Sequence, residues 1–311
     1  MSPSKTTVDW LTFRTQAEPP AALDGLRPLY GDIGAHLRLL PLKRGLLGFQ
    51  QASAVVCGDM AIGRMDYGGE SQRGWVRVQI PGKGCEWVKD WDAVESVESL
   101  PAAEIRRLDL ALTTWAGECT HERVLAAHGA GRFNCGGRTP NLRQIISSDP
   151  RAGRTCEVGT RAKSDKFFRA YEKGFQLAAQ MHHEGLTHIG GCAIEGIYRN
   201  EVELKAENRP IPFEVISQRD SYFAGSYPFL ADLLPGVECD ILMRRPERAP
   251  QMDLQAALSN CRRQFGNTLF TALTAFHGDM GAVMAQILGQ DHNPDLLAAG
   301  VLQVDHDWAW E

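Results

Sequence analysis

The sequence predicts an α+β protein: a largely antiparallel β-sheet core with flanking helices, and a small helical unit at the C-terminal end. Three observations predict it. Short stretches of alternating apolar and polar residues recur through the first two thirds of the chain. Tight turns such as Gly58-Asp59 join neighbouring stretches as hairpins. Beyond residue 253 the apolar spacing changes from two to three and four, the period of an amphipathic helix. The chain has 311 residues, 43% hydrophobic and 23% charged, which is enough to bury one large core or two and speaks against disorder. The expected division is 1–245 for the sheet region and 246–311 for the helices.

Taken in order, residues 6–14 (TTVDWLTFR) are rich in β-branched and aromatic side chains and read as a first strand, with Asp9 near its start. A short helix is expected at 21–26. Residues 48–57 and 60–67 form a hairpin, and 75–80 add a third strand. There Val76, Val78 and Ile80 share one face, while Arg77 and Gln79 share the other, free to face solvent or DNA. The turn Gly82-Lys83-Gly84-Cys85 lacks the spacing and the Lys-Ser/Thr pair of a phosphate-binding loop, so a nucleotide-binding P-loop is excluded. A short helix is expected at 91–100, ended by Pro101.

Residues 106–113 (RRLDLALT) alternate as a strand. Leu108, Leu110 and Leu112 point one way; Arg107, Asp109, Ala111 and Thr113 point the other. Thr120 is placed to cap a helix running to about His128, closed by Gly129 and Gly131. The loop 131–140 (GRFNCGGRTP) is glycine-rich and carries Arg132 and Arg138; it is either a close approach to a phosphate or a plain connector.

Residues 154–158 and 166–173 alternate around the turn residues 159–164 and read as a hairpin. Alternation puts Phe167, Arg169, Tyr171 and Lys173 on one side of the second arm, so a phenol sits between two cations. A tyrosine hydroxyl, with a pKa of about 10, attacks a phosphodiester only if its oxyanion is stabilised, and flanking cations supply that. The same alternation equally describes an ordinary sheet tyrosine. A short helix at 176–184 bears His182 and His183.

Residues 197–205 (IYRNEVELK) put Arg199, Glu201, Glu203 and Lys205 on one face. Two glutamates two residues apart, about 7 Å along a strand, can share a hard cation or can simply be laced into cross-strand ion pairs. Residues 244–251 (RRPERAPQ) suggest a linker. Three short amphipathic helices follow: 253–265, one capped by Asn267, and one capped by Asp279. A DNA-recognising helix-turn-helix cannot be told here from ordinary packing, and packing is the favoured reading.

The run Gly159, Thr160, Arg161, Ser164, Lys166, Arg169, Tyr171, Glu172, Lys173, Gly174 resembles the signature of the replication initiation factor (Rep-trans) family. These are the rolling-circle replication initiators of filamentous phages and small plasmids. The resemblance extends over about residues 8–230, through the DWLTF opening, the G-x-G-C turn, the R-L-D strand and the R-x-E-x-E-x-K strand. It implies site-specific nicking and rejoining of DNA at a replication origin through a covalent 5′-phosphotyrosyl link to Tyr171, with Arg169 and Lys173 offsetting charge.

By the same resemblance, Arg138, Arg161, Lys163 and Lys166 would contact DNA, and Asp109, Glu201 and Glu203 would hold Mg²⁺ or Mn²⁺. Residues 1–245 would be the catalytic region and 246–311 a helical appendage. The partners implied are a double-stranded origin with a locally single-stranded nick site, a host helicase and replication machinery, and a homodimer is allowed. One departure stands out. The second acid of the family's R-L-D strand falls here at Thr113 or Thr114, which favours, as the alternative, a non-catalytic origin-binding or regulatory protein on the same scaffold.

Charge supports a local rather than a general grip on nucleic acid. The net charge is −5, yet residues 132–173 hold ten Lys/Arg against four Asp/Glu, a surplus of 10 − 4 = +6 that leaves −11 elsewhere. The eight cysteines include no C-x-x-C pair, so reduced thiols are expected and a zinc site is not. No apolar run is long enough to span a bilayer, and the first residues lack the apolar core of a signal peptide, which predicts a protein of the host cytoplasm with no membrane partner.

Overall fold

A computed structural model describes residues 4–162, 164–181, 185–243, 254–293 and 296. The chain divides into two units, Met1–Arg244 and Arg245–Glu311. Lys163, His182, His183 and the expected linker at 244–251 lie outside the described residues.

Among its described residues the first unit has twelve strands: β1 (Thr7–Thr15), β2 (Leu37–Pro41), β3 (Gln51–Cys57), β4 (Met60–Tyr67), β5 (Val76–Ile80), β6 (Glu104–Thr114), β7 (Leu142–Ile146), β8 (Arg154–Val158), β9 (Lys166–Tyr171), β10 (His188–Ile189), β11 (Cys192–Ala193) and β12 (Tyr198–Lys205). Ten of them form one sheet in the order β2-β3-β4-β5-β1-β6-β12-β9-β8-β7, and β10 pairs with β11 alone. Every strand pairing in the large sheet is antiparallel. The α+β architecture expected from the sequence is the one observed.

Around the sheet lie α1 (Pro19–Leu26), α2 (Gly82–Cys85), α3 (Glu95–Glu98), α4 (His121–Gly129), α5 (Lys173–Gln180), α6 (Glu214–Ser217), α7 (Arg219–Ser226) and α8 (Pro228–Ala231). Thr120 caps α4 as expected, its hydroxyl accepting from the Arg123 amide at 3.2 Å. The core lies on one face of the sheet. Leu11, Phe13, Val78, Leu108, Leu110, Phe168 and Val202 bury there against Leu23 and Leu26 of α1, Val124 of α4 and Phe223 of α7. Phe133 packs at a tilt against Phe168 and Tyr227, 5.0 and 5.3 Å between ring centroids. The alternation of β6 is borne out: its leucines enter this core, and Arg107, Asp109 and Thr113 take the other face.

The structure corrects the expected elements in four places. Strand β9 stops at Tyr171, and Lys173 opens α5 instead of continuing the alternation. Residues 91–100 divide into a 3₁₀ turn (Asp92–Val94) and α3. The two edge strands, β2 and β7, were not expected. In the second unit α9 (Leu254–Ala275) runs unbroken through Asn267, and α10 (Met280–Ile287) follows, so the described residues hold two helices there rather than three. An asparagine inside a helix costs only a fraction of a kcal/mol. Strong helix formers farther along, such as Gln264 and Leu269, outweigh the poor ones beside it, Gly266 and Thr268, and the Asn267 carbonyl accepts from the Thr271 hydroxyl at 2.9 Å. Asp279 does cap α10, accepting from the Ala282 amide at 3.0 Å.

Candidate active site

The polar face of the sheet brings together three strands whose residues are far apart in sequence. In the register of β9 with β12, Tyr171 lies opposite Arg199, Arg169 opposite Glu201, and Phe167 opposite Glu203. In the register of β12 with β6, Arg199 faces Thr113, Glu201 faces Ala111, and Glu203 faces Asp109. Directly paired residues share a face. Tyr171, Arg169, Glu201, Glu203 and Asp109 therefore meet on one surface.

Glu201 is the centre of this arrangement. The Tyr171 hydroxyl donates to its Oε1 at 2.8 Å, and Arg199 Nε donates to the same oxygen at 3.0 Å. Its Oε2 accepts from Arg169 Nε at 3.0 Å and Nη2 at 2.5 Å. Burial disfavours the Glu201 charge, but Arg169 and Arg199 outweigh it, and the carboxyl titrates below its usual range. It is a buried carboxylate held ionised by two guanidiniums. Tyr171 is pushed the other way: burial, then the Glu201 charge, raises its pKa and keeps the phenol neutral. Lys173 reaches the site from the start of α5, its Nζ 5.8 Å from the Tyr171 ring centroid and 3.0 Å from Gln176 Oε1. Arg169 stacks over the same ring at 5.3 Å.

Two further residues complete the site that sequence reasoning did not place in it. Arg199 also donates to Asp9 Oδ1 at 2.6 Å and to the Thr113 hydroxyl at 3.1 Å. Asp9 sits where the pairing of β1 with β6 shifts register between Val8 and Trp10, a bulge that turns its side chain onto this surface. Burial raises the Asp9 pKa, and the nearby Glu201 raises it further against the pull of Arg199. The signal for Arg199 was present, since it shares a strand face with Glu201. No signal in the sequence tied Asp9 to residues 190 positions away.

Asp109 and Glu203 form a second carboxylate pair, bridged by Arg107. That guanidinium lies 2.6 Å from Asp109 Oδ2 and 3.0 Å from Glu203 Oε2. Glu203 is also paired with Arg161 at 3.0 Å and Lys205 at 3.5 Å. Burial, with Glu203 and Glu201 adding to it against Arg107, raises the Asp109 pKa to about 6. Carboxylate oxygens are the right donors for Mg²⁺ or Mn²⁺, but their arrangement does not fit such an ion. Glu201 is turned to Tyr171 and the arginines, Arg107 spans the other two acids, and among the described residues no group of three or more His, Cys, Asp or Glu is placed to hold a metal.

The expected DNA contacts fall in different places. Arg161 lies at the rim of the site, over the Phe167 ring at 5.2 Å. Arg138 is exposed in the glycine-rich loop. Lys166 is on the opposite face, its Nζ 2.5 Å from the Ser226 carbonyl and over the Tyr227 ring. The basic stretch is largely neutralised by the fold, because Arg132, Arg143, Arg151, Arg154, Arg161 and Arg169 are each ion-paired.

The fold and this surface define an antiparallel-sheet protein with a tyrosine set among arginines and carboxylates. Residues 103–238 match the family model described as replication initiation factor, Rep_trans, so the family that the sequence resembles is the family matched. A solved structure, the rolling circle replication initiator protein from Geobacillus stearothermophilus, superposes with a TM-score of 0.51. That likeness covers 81% of this chain and 90% of that one at 20% sequence identity, and it is a likeness of fold. No curated protein matches the chain. No described helix is long and apolar enough to cross a membrane.

Proposed function

We propose that this protein starts rolling-circle replication by cutting and rejoining one DNA strand at an origin, with Tyr171 as the nucleophile. The observation that carries this reading is the 2.8 Å hydrogen bond from the Tyr171 hydroxyl to Glu201, a carboxylate that Arg169 and Arg199 keep ionised. A phenol with a raised pKa is a poor nucleophile by itself. A carboxylate already hydrogen-bonded to that proton is placed to accept it as the phenol oxygen bonds to phosphorus.

In the forward step the Tyr171 oxygen attacks the scissile phosphorus and its proton passes to Glu201. The bond from phosphorus to the 3′ oxygen breaks, and that oxygen takes a proton from solvent water as it leaves, while Glu201 returns the tyrosine's proton to solvent. The products are a 5′-phosphotyrosyl link and a free 3′ hydroxyl, the end from which synthesis is primed. Arg169 and Arg199, within reach of the same oxygen atoms, offset negative charge as it builds on the phosphate, and Lys173 adds a third cation. The reverse reaction rejoins the strand because the tyrosyl link keeps the phosphodiester's energy. No step here passes through a metal ion.

Residues 1–245 would carry out this chemistry, and 246–311 would be an accessory helical region. The implied partner is a double-stranded origin opened locally at the nick site, with a helicase and replication machinery of the host acting afterwards.

The test is incubation of the protein with supercoiled DNA carrying its own origin. A protein–DNA adduct that survives denaturation, and disappears in Tyr171→Phe, is the expected result. Specific binding without any nick would overturn the nicking proposal and leave an origin-binding regulator, the reading that Thr113 in place of a second acid favours. Running the reaction in EDTA and with Mg²⁺ or Mn²⁺ reports whether Asp109 and Glu203 exchange Arg107 for a metal.

A further inference from the structure

The polar face of the sheet continues well beyond Tyr171. Trp10 on β1 lies opposite Asp109, and Thr12 lies opposite both Arg107 and Gln79, so β1, β5 and β6 present one continuous surface. On that surface, aromatic rings and guanidiniums are stacked in pairs. Arg169 covers Tyr171 at 5.3 Å, Arg107 covers Trp10 at 4.5 Å, and Arg14 covers Trp75 at 4.0 Å. Trp75 precedes β5 and shares the side of Arg77, away from the core residues Val76 and Val78.

The three pairs fall on a diagonal. Tyr171 is level with Thr113 of β6, Trp10 with Asp109, and Arg14 with Glu104. Strand spacing of about 4.8 Å and a rise of about 3.4 Å per residue put Trp10 roughly 20 Å from Tyr171, and Trp75 a similar distance further on. Both indoles are half-buried, so each ring is held firmly while part of it stays open. Arg14, Arg107 and Arg169 keep 35%, 28% and 37% of their side-chain surface exposed, enough to be reached. Each guanidinium carries five N–H donors. The carboxylates beside Arg14, Arg107 and Arg169 engage Nε and Nη2, and Nη1 takes no part in those pairs.

We propose that this face is a track for single-stranded DNA, along which the strand leaving the Tyr171 site stacks at Trp10 and Trp75 and pairs its phosphates with Arg107 and Arg14. A base presents a flat π surface whatever its identity, and stacking on aromatic rings with cationic neighbours binds single strands without reading their sequence. A duplex hides those surfaces. A protein partner would not require a ring and a guanidinium at each of three spaced positions. The inference rests on the strand-cutting reading and extends it, since a cut end held along the sheet stays near Tyr171 for rejoining.

The test uses the full chain and a fluorescent single-stranded oligonucleotide of about 12 nucleotides, within the usual site size for such surfaces. Trp10→Ala and Trp75→Ala are each expected to weaken binding at least about fivefold, the low end for losing one stacked base. Trp10→Phe and Trp75→Phe, which keep a ring, retain most of it, and binding of the matching duplex changes less. Alanine variants that fold normally by circular dichroism and bind the single strand like the parent would overturn the track. So would equal losses on single strand and duplex. If those variants bind normally while the Tyr171 adduct still forms, the track is refuted and the nicking reading stands. If binding depends on both tryptophans but no adduct forms, the track stands and the nicking reading fails.

Discussion

At the scale of single residues, the site is a balance of three cations and two carboxylates around one phenol: Arg169, Arg199 and Lys173 against Glu201 and Asp9. Arg199 is its keystone, because it touches Asp9 and Glu201 together and is itself 13% exposed. Removing it leaves two carboxylates facing each other with little water, and Asp9 is already strained toward its neutral form by burial and Glu201. Arg199→Ala is therefore expected to lower unfolding stability by about 3–5 kcal/mol, the usual cost of orphaning a buried charge. In urea unfolding, adding Asp9→Asn to that variant restores part of the loss, since one of the stranded charges is gone. If the two substitutions simply add, the coupling inferred here is wrong. Alternation along β9 and β12 was enough to put Tyr171, Arg169, Glu201 and Glu203 on one face of their strands. Alternation along β6 likewise put Arg107 beside Asp109, whereas Asp9 joined the site only through strand register, which depends on pairings across the whole chain.

At the scale of elements, the junction of β9 and α5 decides where Tyr171 points. Lys173 begins the helix directly after Glu172, whose carboxylate ties down Arg154 at 2.7 Å and so fixes the end of β9 to the start of β8. Gly174 then packs its backbone onto Ile194: a Cβ there would sit 2.0 Å from the Ile194 carbonyl oxygen. The glycine that closes the sequence signature is thus needed for close approach rather than for a turn. Gly174→Ala is expected to cost about 1–3 kcal/mol as the strand end shifts to relieve the clash. Strand cleavage should fall further than stability alone explains, because the phenol moves with the strand. A variant with wild-type melting temperature and activity would refute this. The alternating strands of the sheet interior were legible because each buries one face. The edges β2 and β7 were not: four of the five β7 residues are exposed, so no apolar alternation marks it. The start of α5 was hidden for a related reason, since Lys173 continues the alternation of β9 by chance.

At the scale of the molecule, the sheet separates two environments, and the pH dependence of stability reports on the buried one. The core side encloses Cys119 and Cys156, both fully buried, and burial raises each thiol's pKa to about 11. Burial also raises the hydroxyls of Tyr30, Tyr198 and Tyr227. In the unfolded chain these thiols lose their protons near 9, while in the fold they still hold them. Between those values the unfolded state binds fewer protons than the folded one, so stability must fall as pH rises. The contribution is complete below about pH 9 and is lost through about pH 11, up to roughly 3 kcal/mol for each thiol at 1.4 kcal/mol per unit. Chemical unfolding at pH 8, 9.5 and 11 should show this decline, and Cys119→Ala with Cys156→Ala should show a shallower one, with the tyrosines and the buried Cys85 thiol, which burial also raises, accounting for what remains. The polar face adds to the decline through Tyr171, whose phenol burial and the Glu201 charge keep protonated in the fold, while the arginines around it stay charged. A double variant whose stability falls as steeply as the parent's would mean that these thiols meet water in the native state, and that the helices do not close the core side of the sheet.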